Sequence, residues 1–256
     1  MRLATFNILH GRSPVDGLVD LDRFAGAVRT LDADVLALQE VDRDQPRSQL
    51  ADLTAVAAEA IGARSHRFVA ALAGTPGLTW TAATGDEQPG TATYGVALVS
   101  RYPAQSWQVM RLPPIKARFP MYSRGAGRFI VVDEEPRVAI AGLFETPAGE
   151  LTAVSTHLSF VPGWNRVQLR RLRRDLLALP DPLVLMGDLN MAGDVPRRLT
   201  GYRPLARLPT FPSDGPTRQL DHILLRGPLG DVTAAQAPEL PLSDHRALVA
   251  EVHVLS

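Results

Sequence analysis

The sequence predicts an α/β fold in which mixed β-sheets are covered by helices. Short apolar segments recur between turn signals along most of the 256 residues, whereas only three segments carry a helical period. Strands and helices do not alternate strictly, as they would in a doubly wound sheet, so a sandwich of mixed sheets fits better. No repeat or break in composition divides the chain, and we expect one domain spanning residues 1–256.

Nine segments are predicted as strands, because they are short, apolar and rich in β-branched residues. In chain order these are Leu3–Leu9, Val35–Leu38, Val96–Val99, Phe129–Val132, Val138–Leu143, Leu151–Val154, Leu183–Met186, His222–Leu225 and Leu248–Val254. Two stretches rich in Gly, Pro and polar residues, Gly74–Thr93 and Arg111–Gly127, are predicted as long loops.

Three segments have apolar residues at spacings of three and four, which is typical of a helix with one buried face. They are Leu21–Leu31, Leu53–Ile61 and Asn165–Leu179. The third also carries a basic face formed by Arg166, Arg170, Arg173 and Arg174. We interpret that face as a solvated surface rather than a patch that follows nucleic-acid phosphates.

The composition excludes several classes of function. There are no cysteines, which rules out disulfides, Cys-ligated zinc, iron–sulfur clusters and a thiol nucleophile. With 27 basic and 27 acidic residues, the chain lacks the basic excess typical of nucleic-acid-binding proteins. The start of the chain has no secretory pattern, and no apolar run is long enough to span a membrane, so we expect a cytoplasmic protein.

Four carboxylates stand next to predicted strands: Glu40, Asp188, Asp221 and Asp244. A carboxylate beside a buried strand is costly to desolvate unless it is paired or binds a cation. Any one of them alone is typical of a cap or a turn, but the set indicates a site. Carboxylate and amide oxygens favour a hard cation such as Mg²⁺ or Mn²⁺.

Two other chemistries are weaker alternatives. His157, His222 and His245 could indicate zinc, although no compact histidine spacing is present. A serine triad is disfavoured because no Gly-x-Ser-x-Gly turn is found.

Seven short motifs occur along the chain in a recognisable order. They are Thr5-Phe6-Asn7, Leu38-Gln39-Glu40-Val41, Tyr94-Gly95-Val96-Ala97-Leu98-Val99-Ser100, Ser155-Thr156-His157-Leu158, Gly187-Asp188-Leu189-Asn190, Leu220-Asp221-His222-Ile223 and Ser243-Asp244-His245. In this order the chain resembles the endonuclease/exonuclease/phosphatase superfamily. The resemblance implies a four-layer sandwich of two packed mixed β-sheets flanked by helices, and metal-dependent hydrolysis of a phosphate ester.

The resemblance also implies the residues that hold the metal. Glu40 looks like the principal ligand of Mg²⁺ or Mn²⁺, with Asn7 beside it at the metal or on the phosphate. Asp244 is similar to a family residue at or near a metal.

Five further residues resemble the family's catalytic groups. Asp188 looks like the group that orients and deprotonates the attacking water, and Asn190 like a phosphate-binding residue that positions Asp188. His245 resembles the imidazole that stabilises the transition state, with Asp221 orienting it. His157 resembles a second histidine on the phosphate side, for which Glu87 is a candidate partner.

The motifs leave the substrate open. Thr156-His157-Leu158-Ser159 stands where repair endonucleases of the superfamily carry Tyr-x-Pro-Asn, which disfavours abasic-site repair. The candidates for binding substrate phosphate are Arg43, Arg47, Arg118, Arg124 and Arg137. We expect a phosphate-ester substrate, most simply a small or lipid-like phosphodiester. The alternatives are a DNA or RNA nuclease of the same fold, with nucleic acid possible but not favoured, and a catalytically silent binding module.

Overall fold

The computed structural model describes residues 1–115, 119–123, 128–132 and 134–253. Its strands are β1 (Arg2–Asn7), β2 (Val35–Arg43), β3 (Ser65–Gly74), β4 (Trp80–Ala82), β5 (Thr93–Ser100), β6 (Ala104–Leu112), β7 (Phe119–Ser123), β8 (Arg128–Val132), β9 (Arg137–Thr146), β10 (Gly149–His157), β11 (Leu183–Asp188), β12 (Arg203–Pro204), β13 (Asp221–Arg226), β14 (Asp231–Gln236) and β15 (Leu248–His253). Its α-helices are α1 (Leu21–Leu31), α2 (Leu53–Ile61), α3 (Trp164–Leu176) and α4 (Val195–Thr200).

The strands form two mixed sheets. One has seven strands in the order β14-β15-β1-β2-β5-β3-β4, and the other has six in the order β12-β13-β11-β10-β9-β6. Each contains one parallel pair, β1 with β2 and β10 with β11, among antiparallel neighbours. A separate pair is formed by β7 and β8.

Buried side chains separate into three layers, which confirms the predicted four-layer sandwich. The central layer joins the inner faces of the two sheets and contains Leu3, Val96, Ile140 and Met186. A second layer packs α1 and α2 on the outer face of the seven-stranded sheet. The third packs the Leu169, Leu172 and Leu176 face of α3 on the other sheet. No helix in the described part of the chain is long and apolar enough to cross a bilayer.

Local sequence signals set the ends of the first two helices. Asp20 caps α1 by accepting from the backbone N–H of Arg23 at 2.8 Å. Asp52 caps α2 in the same way, and Gly62 ends that helix in the left-handed conformation. Both helices span the residues that the apolar spacing predicts.

The sequence patterns missed strands at or near the edges of the sheets. β6 and β14 lie at edges and are largely exposed, so they lack the continuous apolar run that marks a buried strand. β3 begins with the polar residues Ser65 and His66, which hide its strand character. The predicted loop Gly74–Thr93 contains β4, which pairs with β3, and the predicted loop Arg111–Gly127 contains β7, so both loop predictions were wrong in part.

On the inner face of two strands, the side chains change from apolar to polar within two residues of the strand end. In β1, Leu3 is in the central layer, whereas Thr5 and Asn7 follow on the same face. In β11, Met186 is followed in the same way by Asp188. Because side chains alternate with a period of two, each of these strands ends by placing a polar residue between the sheets.

Gly187 allows β10 and β11 to lie close together at this end. Its φ is +151°, and a Cβ atom there would collide with the carbonyl oxygen of Thr156. The neighbouring register aligns His157 with Asp188. Any side chain at position 187 would therefore disturb both strands that carry these residues.

Replacing Gly187 with alanine should lower the free energy of unfolding by about 2–3 kcal/mol, because the added methyl group overpacks a strand contact. Urea unfolding followed by circular dichroism measures this change. The matched control is Gly215→Ala, at a position where a Cβ would meet no atom within 4 Å and where φ is not left-handed. Equal stability of the two variants would contradict the close-approach argument.

Candidate active site

The polar residues predicted as a site meet at one edge of the sandwich. The parallel pairs place the ends of β1, β2, β10 and β11 there, with Asn7 beside Gln39 and His157 beside Asp188. β13 runs antiparallel to β11, so its first residue, Asp221, aligns with Asp188. The topology thus gathers residues that are far apart in the chain.

Glu40 reaches this edge through a β-bulge. Gln39 pairs with Val96 and Val41 with Gly95, which leaves Glu40 as the extra residue of β2. Its backbone is left-handed, with φ at +57°. Such a conformation is strained for a residue with a Cβ, and bulges commonly re-aim a side chain near active sites.

Asn7 connects Glu40 with Asp188. Its Nδ2 donates to Glu40 Oε1 at 3.0 Å and to Asp188 Oδ2 at 3.1 Å, while its Oδ1 accepts from the backbone N–H of Leu9 at 3.2 Å. The hydroxyl of Ser243 donates to the carbonyl oxygen of Asn7 at 2.6 Å. This last bond ties the loop before β15 to the end of β1.

Asp221 and His245 form a buried ion pair. Nδ1 of His245 lies 2.9 Å from Oδ2 of Asp221, and the same oxygen accepts from the hydroxyl of Thr210 at 2.6 Å. Burial lowers the pKa of His245, but the nearby carboxylates, Asp221 first, outweigh it and raise that pKa to about 10. The imidazole is therefore protonated at neutral pH.

Asp188 lies at the centre of the cluster. Its Oδ1 accepts from the backbone N–H of Asn190 at 2.9 Å. Its Oδ2 lies 3.5 Å from Nε2 of His157 and 3.8 Å from Nε2 of His245. Burial and the neighbouring Asp221 raise the pKa of the Asp188 carboxyl to about 7. A carboxylate with that pKa can exchange a proton near neutrality.

His157 is held differently from His245. Its Nδ1 lies 3.3 Å from a guanidinium nitrogen of Arg137, which can only donate. Burial and Arg137 lower the pKa of His157 well below its usual value. The ring is therefore neutral, with Nδ1 accepting from Arg137 and the proton on Nε2, the nitrogen that faces Asp188. The amide nitrogen of Asn190 donates to the carbonyl oxygen of Leu158 at 3.0 Å.

The partner that orients His157 is Arg137, at the start of β9, and not the predicted candidate Glu87. Glu87 accepts from the backbone N–H groups of Thr84 and Gly85 and lies on the surface. Arg137 is 5% exposed, and its Nε lies 3.6 Å from Oε1 of the buried Glu134. Sequence patterns could not find this partner, because nothing in the motifs marks the position before Val138.

The other arginine candidates for binding phosphate differ in whether another residue already engages the guanidinium. Arg47 donates through Nε and Nη2 to the two carboxylate oxygens of the buried Asp42, each at 2.8 Å, so it is already engaged. Arg43 lies over the ring of Phe68, 4.8 Å from its centroid. Arg118 and Arg124 lie outside the described residues.

Two groups of side chains could hold a metal ion. Ligand atoms of Asp188, Asp221 and His245 all lie within 4.8 Å of one another. His245 is protonated, however, and Asp221 Oδ2 already has two donors, so these three are better described as a hydrogen-bonded chain.

The second group contains Glu40. Burial and the nearby Asp244 raise the pKa of its carboxyl, and among the described residues its hydrogen-bond donor is the amide of Asn7. A carboxylate with so few donors, and with a second carboxylate acting on its pKa, fits a hard cation. In the orientation described, Asn7 contributes its amide nitrogen and not its oxygen, so it organises the two carboxylates.

His222 lies away from the cluster. Its Nε2 is 2.8 Å from the carbonyl oxygen of Met191, and its Nδ1 is 3.4 Å from the amide of Gln219. As the residue after Asp221 in β13, it points to the opposite face of the sheet. The structure therefore does not bring His157, His222 and His245 together, which removes the basis of the zinc alternative.

Comparison with known proteins identifies relatives of the whole chain. The profile of the Endonuclease/Exonuclease/phosphatase family matches residues 4–245. A crystal structure of an endonuclease/exonuclease/phosphatase from Beutenbergia cavernae DSM 12333 is 25% identical, with a TM-score of 0.71, over 99% of this chain and 71% of that one. No curated protein matches the chain.

Two further solved structures share the fold. Sphingomyelinase C from Streptomyces griseocarneus has a TM-score of 0.63 and 14% identity, with 99% of each chain covered. A mannosyl-6-phosphatase from Bacteroides thetaiotaomicron VPI-5482 has a TM-score of 0.63 and 15% identity, again with 99% of each chain covered.

Removing the charge of Asp221 should lower the pKa of His245, because that carboxylate is the main group that favours the imidazolium. In Asp221→Asn we expect the pKa to fall from about 10 by about 1–3 units. Titration of the ring protons by NMR measures the shift, and Asp175→Asn, an exposed carboxylate on α3, is the control. An unchanged titration in Asp221→Asn would show that the ion pair does not set the protonation state.

Proposed function

Because this chain belongs to the endonuclease/exonuclease/phosphatase family, whose members are phosphoester hydrolases that depend on a divalent metal, we propose that it hydrolyses a small or lipid-like phosphodiester with Mg²⁺ or Mn²⁺. The observation that carries the proposal is that two histidines in different protonation states flank Asp188. Protonated His245 and neutral His157 both lie within 3.8 Å of its Oδ2.

Asp188 acts as the general base that accepts a proton from the attacking water. Its two oxygens are held by the backbone of Asn190 and the amide of Asn7, so the carboxylate has a fixed orientation. Its raised pKa of about 7 suits proton transfer near neutral pH. The backbone of Asn190 therefore positions Asp188, and its side-chain amide lies 3.3 Å from Nε2 of His157.

The two histidines stabilise charge on the phosphate. Catalysis of phosphoryl transfer depends on positioning and electrostatics, because negative charge spreads over the equatorial oxygens. His245, kept protonated by Asp221, contributes a positive charge and a donor. His157 contributes a neutral Nε2–H donor, since Arg137 occupies its other nitrogen.

Glu40 and Asp244 are the residues that would hold the cation, with Asn7 adjacent. When bound, the cation neutralises charge on a phosphate oxygen and on the leaving group. Burial of Glu40 beside a second carboxylate supports this assignment, because that arrangement is unfavourable without a positive partner.

We propose a diester ahead of a monoester because the protein's own cation beside the reacting phosphate is the single imidazolium of His245. The guanidinium of Arg137 is turned toward His157 and Glu134. The carboxylates of Glu40 and Asp244 would balance the two charges of a bound divalent cation. Sphingomyelinase C and the mannosyl-6-phosphatase share the fold, so a monoester must be included in the tests.

Asp188→Ala and His245→Ala should each reduce hydrolysis of bis-p-nitrophenyl phosphate by about 100-fold or more, the usual effect of removing an acid–base group. Release of p-nitrophenolate in Mg²⁺, Mn²⁺ or EDTA measures this, and EDTA should abolish turnover. Asp175→Ala is the control, and circular dichroism verifies folding. Near wild-type rates in either variant, or full activity in EDTA, would refute the assigned mechanism.

Parallel assays choose the substrate class. Plasmid DNA tests the nuclease alternative, which the zero net charge disfavours, and p-nitrophenyl phosphate tests a monoesterase. Cleavage of DNA at rates far above those of the small diester would overturn the proposed substrate while keeping the chemistry.

Glu40→Gln should raise the Mg²⁺ concentration for half-maximal activity by about tenfold or more, because the variant keeps the size of the side chain but loses its charge. The measurement is a Mg²⁺ titration of diester hydrolysis. Glu59→Gln, on the exposed face of α2, serves as the control. If the Glu40→Gln titration overlays that of the wild type, Glu40 does not bind the cation.

A further inference from the structure

A cavity of about 370 Å³ opens directly beside the catalytic cluster. Asn190 and His245 form part of its wall, so a molecule in the cavity touches residues of the reaction centre. The rest of the wall comes from the chain around the start of α3, the segment after β11 and the segment before β13. Its volume is in the range of small-molecule sites.

Two arginines give this cavity a positive charge. Arg166, in the first turn of α3, and Arg218, before β13, both line it. Neither forms an ion pair with a carboxylate in the described part of the chain, and the described wall contains no Asp or Glu. Nearby Arg197 and Arg207, in contrast, are both paired with Asp194.

The cavity also has an aromatic side. Phe160, which is 39% exposed, and Phe211 both line it. The Phe211 ring lies 5.0 Å from the His245 ring, and the guanidinium of Arg218 lies 5.9 Å from the centroid of Phe211. Phe211 therefore connects the catalytic imidazole with the unpaired arginine, and it supports both.

We infer that this cavity binds the part of the substrate remote from the reacting phosphate, and that this part carries a second anionic group held by Arg166 and Arg218. A ring or apolar portion packs against Phe160 and Phe211. The inference rests on the proposed function and narrows its substrate to small phosphodiesters with a second phosphate or carboxylate. Guanidinium groups suit both anions, because they donate two parallel hydrogen bonds.

Binding energy from such a remote group is useful for catalysis. Contacts away from the reacting bond can orient the phosphate between His157 and His245. Under this inference Arg166 acts in recognition, whereas Arg173 of the same basic set donates to the carbonyl oxygen of Thr200. Arg170 and Arg174 are exposed, in agreement with the predicted solvated surface.

Calorimetric binding of two nucleotides to the full chain tests the inference. Adenosine 3′,5′-bisphosphate and adenosine 5′-monophosphate share a ring and one phosphate, and they differ in the second anion. We expect the wild type to bind the bisphosphate about tenfold more tightly, a typical gain from one charge-assisted contact. Arg218→Ala and Arg166→Ala should each remove most of that preference, and Arg218→Lys should retain part of it.

The control is Arg170→Ala, which changes an exposed arginine of α3 that does not line the cavity. It should keep the full preference. Equal affinity of the wild type for both nucleotides, or equal weakening of both by Arg218→Ala, would overturn the inference.

Turnover of bis-p-nitrophenyl phosphate by the same wild-type sample separates the two hypotheses. Absence of turnover with a preserved preference for the bisphosphate would refute the proposed function alone. Turnover without that preference would refute the second anionic subsite alone.

Discussion

The centre depends on a polar layer that crosses between the two sheets just below it. Thr5 donates to the side-chain oxygen of Gln39 at 3.2 Å, and the amide of Gln39 donates to the hydroxyl of Ser155 at 3.3 Å. All three side chains are fully buried. Polar groups in such a place must be paired, so the layer fixes the position of β1 and β2 relative to β10. The proposed site residues Asn7, Glu40 and His157 each follow a residue of this layer by one or two positions in the chain.

Fixed in this way, similar side chains acquire different roles. His245 pairs with a carboxylate and is protonated, whereas His157 pairs with a guanidinium and is neutral. Asp188 and Asp221 are neighbours across β11 and β13, and their mutual repulsion contributes to the raised pKa of Asp188. The chemistry arises from the partner of each group more than from the group itself.

Much of this arrangement could be predicted from the sequence. The apolar segments that form β1, β2, β10, β11, β13 and β15 indicated the interior strands, and the motifs at their ends indicated the cluster. Edge strands such as β6 and β14 were missed because half-exposed strands carry little pattern.

Contacts between residues far apart in the sequence could not be predicted either. Arg137 lies 20 residues before His157 and has no motif of its own, and its contact exists only because β9 pairs with β10. The cavity beside His245 could not be predicted either, since three other separate segments complete its wall. The bulge at Glu40 also breaks the alternation from which its direction would have been inferred.

If Glu40 binds the cation as we propose, that bulge sets stability against activity at a single position. A left-handed backbone costs a residue with a Cβ on the order of 1–2 kcal/mol, and a half-buried carboxylate whose pKa is raised by Asp244 adds a further cost. Glycine at position 40 would relieve both costs, and it would leave a more stable sandwich that lacks the carboxylate we propose as a cation ligand. Selection for thermal stability alone would therefore favour glycine at position 40, whereas selection that also requires turnover would retain the strained glutamate.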